Sequence, residues 1–141
     1  ITIDTSGMVI VTGYGSNGTN NDMILLKFDQ TGNFDTNFGG GDGVLNSNLG
    51  NAEQGYAVIT DENNNIYVAG TSNNTGNNDL IVWKYDRFGN PVTDGNWGPN
   101  GYVRHDGACG SGGSNDRGFD IKIDKTGKLV VAGTSNNGTS T

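Results

Sequence analysis

Cysteine, histidine, proline and positive charge are all scarce in this chain, and each scarcity closes a class of function. Cys109 is the only cysteine, so no intrachain disulfide can form. Its plain reading is a loop thiol, because an activated thiolate needs a cationic or helix-terminal setting. The one histidine, His105, falls in an expected outer strand between Arg104 and Asp106, with no nucleophile paired to it. Paired carboxylates for glycoside hydrolysis cannot be nominated either, since the aspartates recur at turn positions where they already have structural work. Eight lysines and arginines against fifteen aspartates and glutamates leave a net charge of −7. Nucleic acid is therefore not an expected partner, since phosphate binding needs clustered positive charge. No stretch of eighteen apolar residues is present, so no membrane insertion is expected. Nor does the chain start with a basic segment followed by an apolar one; it opens at Ile1 in mid-strand pattern, so any leader would lie upstream.

What is abundant is glycine, at 25 residues against 2 prolines, with a hydrophobic content of only 32% gathered into short runs. Residues 8–11, 23–26, 66–68, 80–83 and 129–131 are such runs, rich in β-branched, aromatic or long aliphatic types, as buried strands are. They also repeat. Asp22-Met23-Ile24-Leu25-Leu26-Lys27-Phe28-Asp29 returns 57 residues later as Asp79-Leu80-Ile81-Val82-Trp83-Lys84-Tyr85-Asp86. Val11-Thr12-Gly13 returns as Val68-Ala69-Gly70 and, after a further 63 residues, as Val131-Ala132-Gly133. A fixed period of this size means one supersecondary unit stacked on copies of itself.

The middle copy divides into four strands, at 55–61, 66–72, 79–86 and 101–106. The first join is Asp61-Glu62-Asn63-Asn64-Asn65, with Asp4-Thr5-Ser6-Gly7 and Asp124-Lys125-Thr126-Gly127 as counterparts. An Asp that bonds the backbone two residues on, followed by a Gly or Asn tolerant of positive φ, makes a tight hairpin. Asn-rich loops at 16–21 and 73–78 join strands two and three, and glycine-rich links at 30–42 and 87–100 lead to strand four. The third strand is apolar at successive positions, so both its faces must be covered. Small four-stranded antiparallel sheets stacked face to face meet that demand, which is a β-propeller. An antiparallel sandwich would instead leave one wet face per strand and would not recur at this period. The fold class expected is thus all-β, about two and a half blades of four-stranded antiparallel sheet. Blade 1 spans 1–54, its first strand truncated, blade 2 spans 55–117, and the first half of blade 3 spans 118–141. Since propellers close with about four to eight blades, the expected partners are remaining blades of a longer chain or neighbouring subunits. Two copies would not close a ring, because the partner would not supply the strands the last blade needs.

Gly32-Asn33-Phe34-Asp35-Thr36-Asn37-Phe38-Gly39-Gly40-Gly41-Asp42-Gly43-Val44 resembles the Phe-Asp-x-x-Phe-Gly and Gly-x-Val phrase of the bacterial delta-60 repeat family. The order of Val68-Ala69-Gly70 and then Asp79–Asp86 is similar to that family and to related bacterial propeller repeats. The resemblance covers nearly the whole chain and implies an extracellular or cell-surface bacterial propeller. The middle copy departs from the pattern at Asn90-Pro91-Val92-Thr93-Asp94-Gly95-Asn96-Trp97, which lengthens the phrase and puts Trp for Phe. The family brings no catalytic residues.

For ligands, the residues to weigh are the amides at one end of the stacked blades, which can grip sugar hydroxyls or peptide backbone. They are Asn17, Asn20, Asn21, Asn73, Asn74, Asn77 and Asn78, joined by Asp116 and Arg117 in the link at 106–118. Taken singly, each Asn reads equally as a turn former. Asn17, Asn73 and Asn137 open Asn-x-Thr sequons in equivalent loops, a coincidence if the source is bacterial. Calcium is the one cofactor the loops would suit, yet there is no Asp-x-Asp-x-Asp-Gly run, so no cofactor is expected. The expected function is a non-enzymatic surface or secreted module for adhesion, binding protein or glycan. The rivals are a purely structural spacer, favoured by the identity of Thr71–Asn74 with residues 134–137, and a lyase or hydrolase on a propeller scaffold.

Overall fold

The computed structural model describes residues 1–74, 76–109 and 113–136. Among these there is no helix; ten strands form three antiparallel sheets in which every neighbour in space is a neighbour in sequence. The first sheet is β1 (Thr2–Ile3), β2 (Val9–Ser16), β3 (Asn21–Phe28) and β4 (Val44–Ser47). The second is β5 (Glu53–Thr60), β6 (Ile66–Asn74), β7 (Asn77–Tyr85) and β8 (Tyr102–His105). The third is the hairpin β9 (Asn115–Ile123) and β10 (Leu129–Asn136).

The hairpins form because one carboxylate organises each turn. Asp4 Oδ1 accepts the amides of Ser6 at 2.8 Å and Met8 at 3.0 Å. Asp61 does the same for Asn63 and Asn65, and Asp124 for Thr126 and Lys128. The residue before the last of each turn has positive φ, at Gly7, Asn64 and Gly127, a conformation that Gly and Asn alone adopt cheaply. A second set of the same design follows the third strand of each full sheet, at Asp29 and Asp86, with Gly32 and Gly89 at positive φ.

The middle sheet is buried on both faces. Ile66, Val68, Ile81, Trp83 and Tyr85 pack with Ile10, Met23, Leu25 and Phe38 of the first repeat. Tyr67, Ala69 and Val82 pack with Ile121, and with the half-buried Ile123, Leu129 and Val131 of the third sheet. The backbones come closest at the first strands. β5 and β9 each carry one extra residue, Tyr56 and Phe119, where the register shifts, and a glycine stands opposite on the next strand. A Cβ on Gly70 would lie 1.9 Å from Gln54 O, and one on Gly133 would lie 1.9 Å from Arg117 O. Gly13, at the same place in the first sheet, has only Ile24 Cγ1 near, at 4.0 Å.

The observed strands run further toward the Asn-rich end than the sequence suggests. β5 begins at Glu53 and β9 at Asn115. Asp116 and Arg117 therefore lie inside β9 and not in a link. Asn21, Asn73, Asn74, Asn77 and Asn78 are strand residues: the ladder continues through Asn73↔Asn78 to Asn74↔Asn77. Asn and Ser are poor strand formers, and pairing across a tight hairpin overrides that preference.

The glycine contrast gives a prediction. Gly70→Ala should cost about 1–3 kcal/mol through overpacking against main chain, and Gly13→Ala should be close to neutral. Urea unfolding of both variants checks it; equal losses would contradict the bulge argument.

Candidate functional site

The Asn-rich end of the sheets is the place to examine first, and the side-chain amides of Asn17, Asn20 and Asn77 there are already engaged. Asn17 Oδ1 accepts the amides of Thr19 and Asn20 at 2.9 and 3.0 Å, while its Nδ2 donates to Asp22 Oδ2 at 3.0 Å. Asn20 Nδ2 donates to Asn51 O at 2.6 Å, tying the β2–β3 loop to the β4–β5 link. Asn77 Nδ2 donates to Asp79 Oδ1 at 2.9 Å and to Ser114 O at 2.8 Å, and the Asn78 amide donates to Asn115 Oδ1. The Asn73 amide donates to Ala52 O at 2.8 Å. Asn137 lies outside the described residues. These amides close one repeat onto the next.

Beneath them lies a buried polar layer that the sequence reading missed. Glu53 is fully buried, accepting from the Leu49 amide at 3.1 Å and from Ser72 Oγ at 3.1 Å. Burial holds its carboxyl above the ordinary range, despite those two hydrogen bonds. Arg104 donates through Nη2 to Ser72 Oγ at 3.0 Å and lies 3.8 Å from Asp79. Asp116 is the counterpart of Glu53, paired across the ladder with Ser135 as Glu53 is with Ser72. Its Oδ2 accepts from the Gly107 and Ala108 amides and from Ser114 Oγ, so this candidate ligand residue holds its own loop together. Burial alone would raise its pKa, but the Ser135 hydroxyl together with these hydrogen bonds prevails and holds it below the ordinary value.

What the end offers outward is aromatic and cationic. Tyr56 and Phe119, the two bulge residues, meet with ring centroids 5.2 Å apart. Phe119 is 45% exposed and Tyr14 is 52% exposed. Burial raises the Tyr56 pKa, with the charges of Arg117 and Tyr14 as the next influences, so all four side chains share one neighbourhood. Arg117 is exposed on β9 and, with Asn115, Thr134 and Asn136, lines a shallow hollow. One sequence signal could have found this group. Glu53-Gln54-Gly55-Tyr56-Ala57-Val58 returns 63 residues later as Asp116-Arg117-Gly118-Phe119-Asp120-Ile121.

At the opposite end each full repeat carries a lysine. Lys27 is buried, 3.7 Å from Asp4 and 3.5 Å from Asp35, and donates to Arg87 O of the second repeat at 2.9 Å. Its counterpart Lys84 reaches Asp94 at 3.3 Å and lies over the Tyr67 and Trp97 rings. Asp94 is 68% exposed, so this pair is far wetter than the first. Beside it opens a cleft of about 560 Å³ lined by Asp61, Tyr67, Ile123, Asp124, Lys125 and Leu129. Among the described residues no three His, Cys, Asp or Glu side chains gather as a metal would need. His105 is an exposed strand residue, and Cys109 is exposed in a turn with its Sγ 3.5 Å from Ser135 O.

Two family models match the sequence. One, described as a beta-propeller repeat (SBBP), covers residues 49–77, which hold β5, β6 and the first residue of β7. The other, a beta-propeller domain of unknown function (DUF5122), covers residues 5–38, from the first turn to Phe38. No curated protein matches the chain. With the three stacked antiparallel sheets, these matches make the chain an all-β protein of β-propeller repeats.

The lysines and the turn carboxylates give two predictions. Lys27→Met should cost about 3 kcal/mol or more, because it strands two poorly hydrated carboxylates. Lys84→Met should cost no more than about 1 kcal/mol, as its partner is exposed. Denaturant midpoints of the two variants check the order. For acid, burial would raise Asp61 and Asp86, but hydrogen bonds from Asn65 and Asn90 hold both below the ordinary value of 3.8. Groups lowered on folding stabilise above their unfolded pKa and lose that contribution as pH falls through the folded one. The urea midpoint should hold from pH 7 to about 5 and fall below about 4. Asp86→Asn should flatten that fall.

Proposed function

We propose that these repeats serve as a non-enzymatic binding module of a bacterial surface or secreted protein, taking a protein or glycan partner at the Asn-rich end. The observation that carries this reading is the group of Tyr14, Phe119 and Arg117, all exposed, with the partly buried Tyr56 against Phe119. Exposed aromatics beside an arginine and side-chain amides are the chemistry of interface anchors and of sugar-stacking platforms. A surface or secreted setting rests on the likeness to bacterial propeller repeats.

A second reading, a structural spacer, has one observation in its favour. Three of the Asn side chains nominated for a ligand, those of Asn17, Asn20 and Asn77, are spent on closing turns and seams. On that reading the aromatic group only fills space near the axis.

A glycan array and a surface pull-down, using the chain and a Tyr14→Ser, Phe119→Ser, Arg117→Ser variant, separate the two. All three positions are exposed, so the variant should keep its stability within about 1 kcal/mol. A ligand captured by the natural chain and lost by the variant supports binding. No ligand, or equal capture by both, favours the spacer.

A further inference from the structure

A groove of about 600 Å³ runs along the outer side of the seam between the first two repeats. One wall is β4 and the residues after it, with Leu45, Ser47 and Leu49; the other is the glycine-rich link of the second repeat, with Pro91, Thr93 and Asn100. Tyr85 and Gly89, both buried, lie at its floor.

The groove opens where the second repeat departs from the first. Phe34 and Pro91 are counterparts, bridged to Phe28 and to Tyr85 at the same place after β3 and β7. A glycine stands under each: a Cβ on Gly43 would meet Phe34 at 2.7 Å, and one on Gly101 would meet Pro91 at 2.8 Å. In the first repeat the Phe34 ring stacks on Phe28, with centroids 4.7 Å apart and planes 25° apart. Proline is too small to repeat that stacking, so the place beside Tyr85 belongs to the groove.

The lining is uncharged, in a chain whose net charge is −7. A charged ligand group would lose hydration there without a partner to offset it. Thr93 and Asn100 are exposed, and among the described residues neither spends its side chain on an internal hydrogen bond, unlike Asn17, Asn20 and Asn77. The bordering strand also has hydrogen-bonding capacity to give. Lys27 N donates to Gly43 O at 2.9 Å, which fixes the alternation of the β3–β4 ladder: Leu45 and Ser47 bond to β3, and Asn46 turns its N–H and C=O outward.

We infer that this groove binds an extended, uncharged peptide segment of a partner protein that carries one phenylalanine. The segment adds to the outward edge of β4 at Asn46, and every second side chain then turns toward the second repeat. Its phenylalanine takes the place beside Tyr85 that Phe34 takes beside Phe28, while Thr93 and Asn100 meet its polar groups. β4 has four residues, so about four residues of the ligand are read, over about 13 Å. A sugar chain fits less well, because Tyr85, the one aromatic residue of the lining, is 4% exposed and offers no face for stacking. The groove is separate from the group of Tyr14, Phe119 and Arg117, so its test and the test of the binding reading above fail independently.

The test uses the full chain and an array of capped hexapeptides, each with one Phe among Ser, Thr, Asn and Val, beside matched peptides carrying Asp or Lys. Peptides retained are measured by fluorescence anisotropy. Saturable binding of the uncharged, Phe-bearing peptides is expected, with slowed amide exchange at Asn46. Pro91→Phe, which installs the ring the first repeat already carries, should weaken binding by about tenfold or more and leave the urea midpoint in place. Asn46→Pro removes an outward N–H without taking a bond from the ladder, and should also weaken binding by about tenfold. This second variant keeps the test valid should the first misfold. No binding up to about 1 mM peptide, binding that survives either folded variant, or equal binding of the charged peptides overturns the inference. Capture of neutral oligosaccharides in place of peptides overturns it as well.

Discussion

Because β6 and β7 send Ile66, Val68, Ile81, Trp83 and Tyr85 to one side and Tyr67, Ala69 and Val82 to the other, the middle sheet has no face to give to water. Each large side chain buried there is worth about 1.5–3 kcal/mol, and half of that burial exists only while a neighbouring sheet is in place. The sheets therefore depend on each other in sequence order, and the stack works as a row of nearest-neighbour contacts.

Close approach of the first strands sets the second constraint. Sheets that stack around an axis crowd most where the first strands meet, and here the chain answers with glycine at 55, 70, 118 and 133 and with one extra residue in β5 and in β9. A Cβ on Gly55 would meet Thr12 Oγ1 at 2.3 Å, and one on Gly118 would meet Val131 Cγ1 at 2.9 Å. The bulge has a consequence for chemistry. It turns Tyr56 and Phe119 out of the alternation that would have buried them, and so the residues that relieve crowding are also those that reach solvent beside Arg117.

The architecture was legible because its signals are local and repeated. Asp61 with Asn64, and Asp124 with Gly127, announce their hairpins by residue type alone, and the apolar run 80–83 announces a strand covered on both sides. The candidate site was legible only as a location. Asn77 and Asn17 read as free amides in a list of residues, but whether an amide is free depends on Ser114 O and Asp22, which are close in space for reasons of packing. Asp116 reads as a link residue because Asp, Arg and Gly in succession are poor strand formers; the buried face it shares with Gly118 and Ile121 makes it part of β9. Tyr56 and Phe119 read as core because they are aromatic residues in strands, and a register shift leaves no trace in composition.

The two lysines show how one repeat motif can serve different ends. Lys27 is held by two carboxylates and a carbonyl from the next repeat, so its charge is fully matched and it acts as a fastening. Lys84 keeps one exposed carboxylate and two aromatic faces, which stabilise a cation without using up its hydrogen-bond donors. An ammonium in that state is stable enough to persist and still able to take a carbonyl. The Lys27 seam supplies the geometry of that second condition, since its lysine already makes the contact. The two lysines differ also in the residues around them: Ile10 and Phe38 flank Lys27 where Tyr67 and Trp97 flank Lys84, so the same motif is tuned by its apolar neighbours.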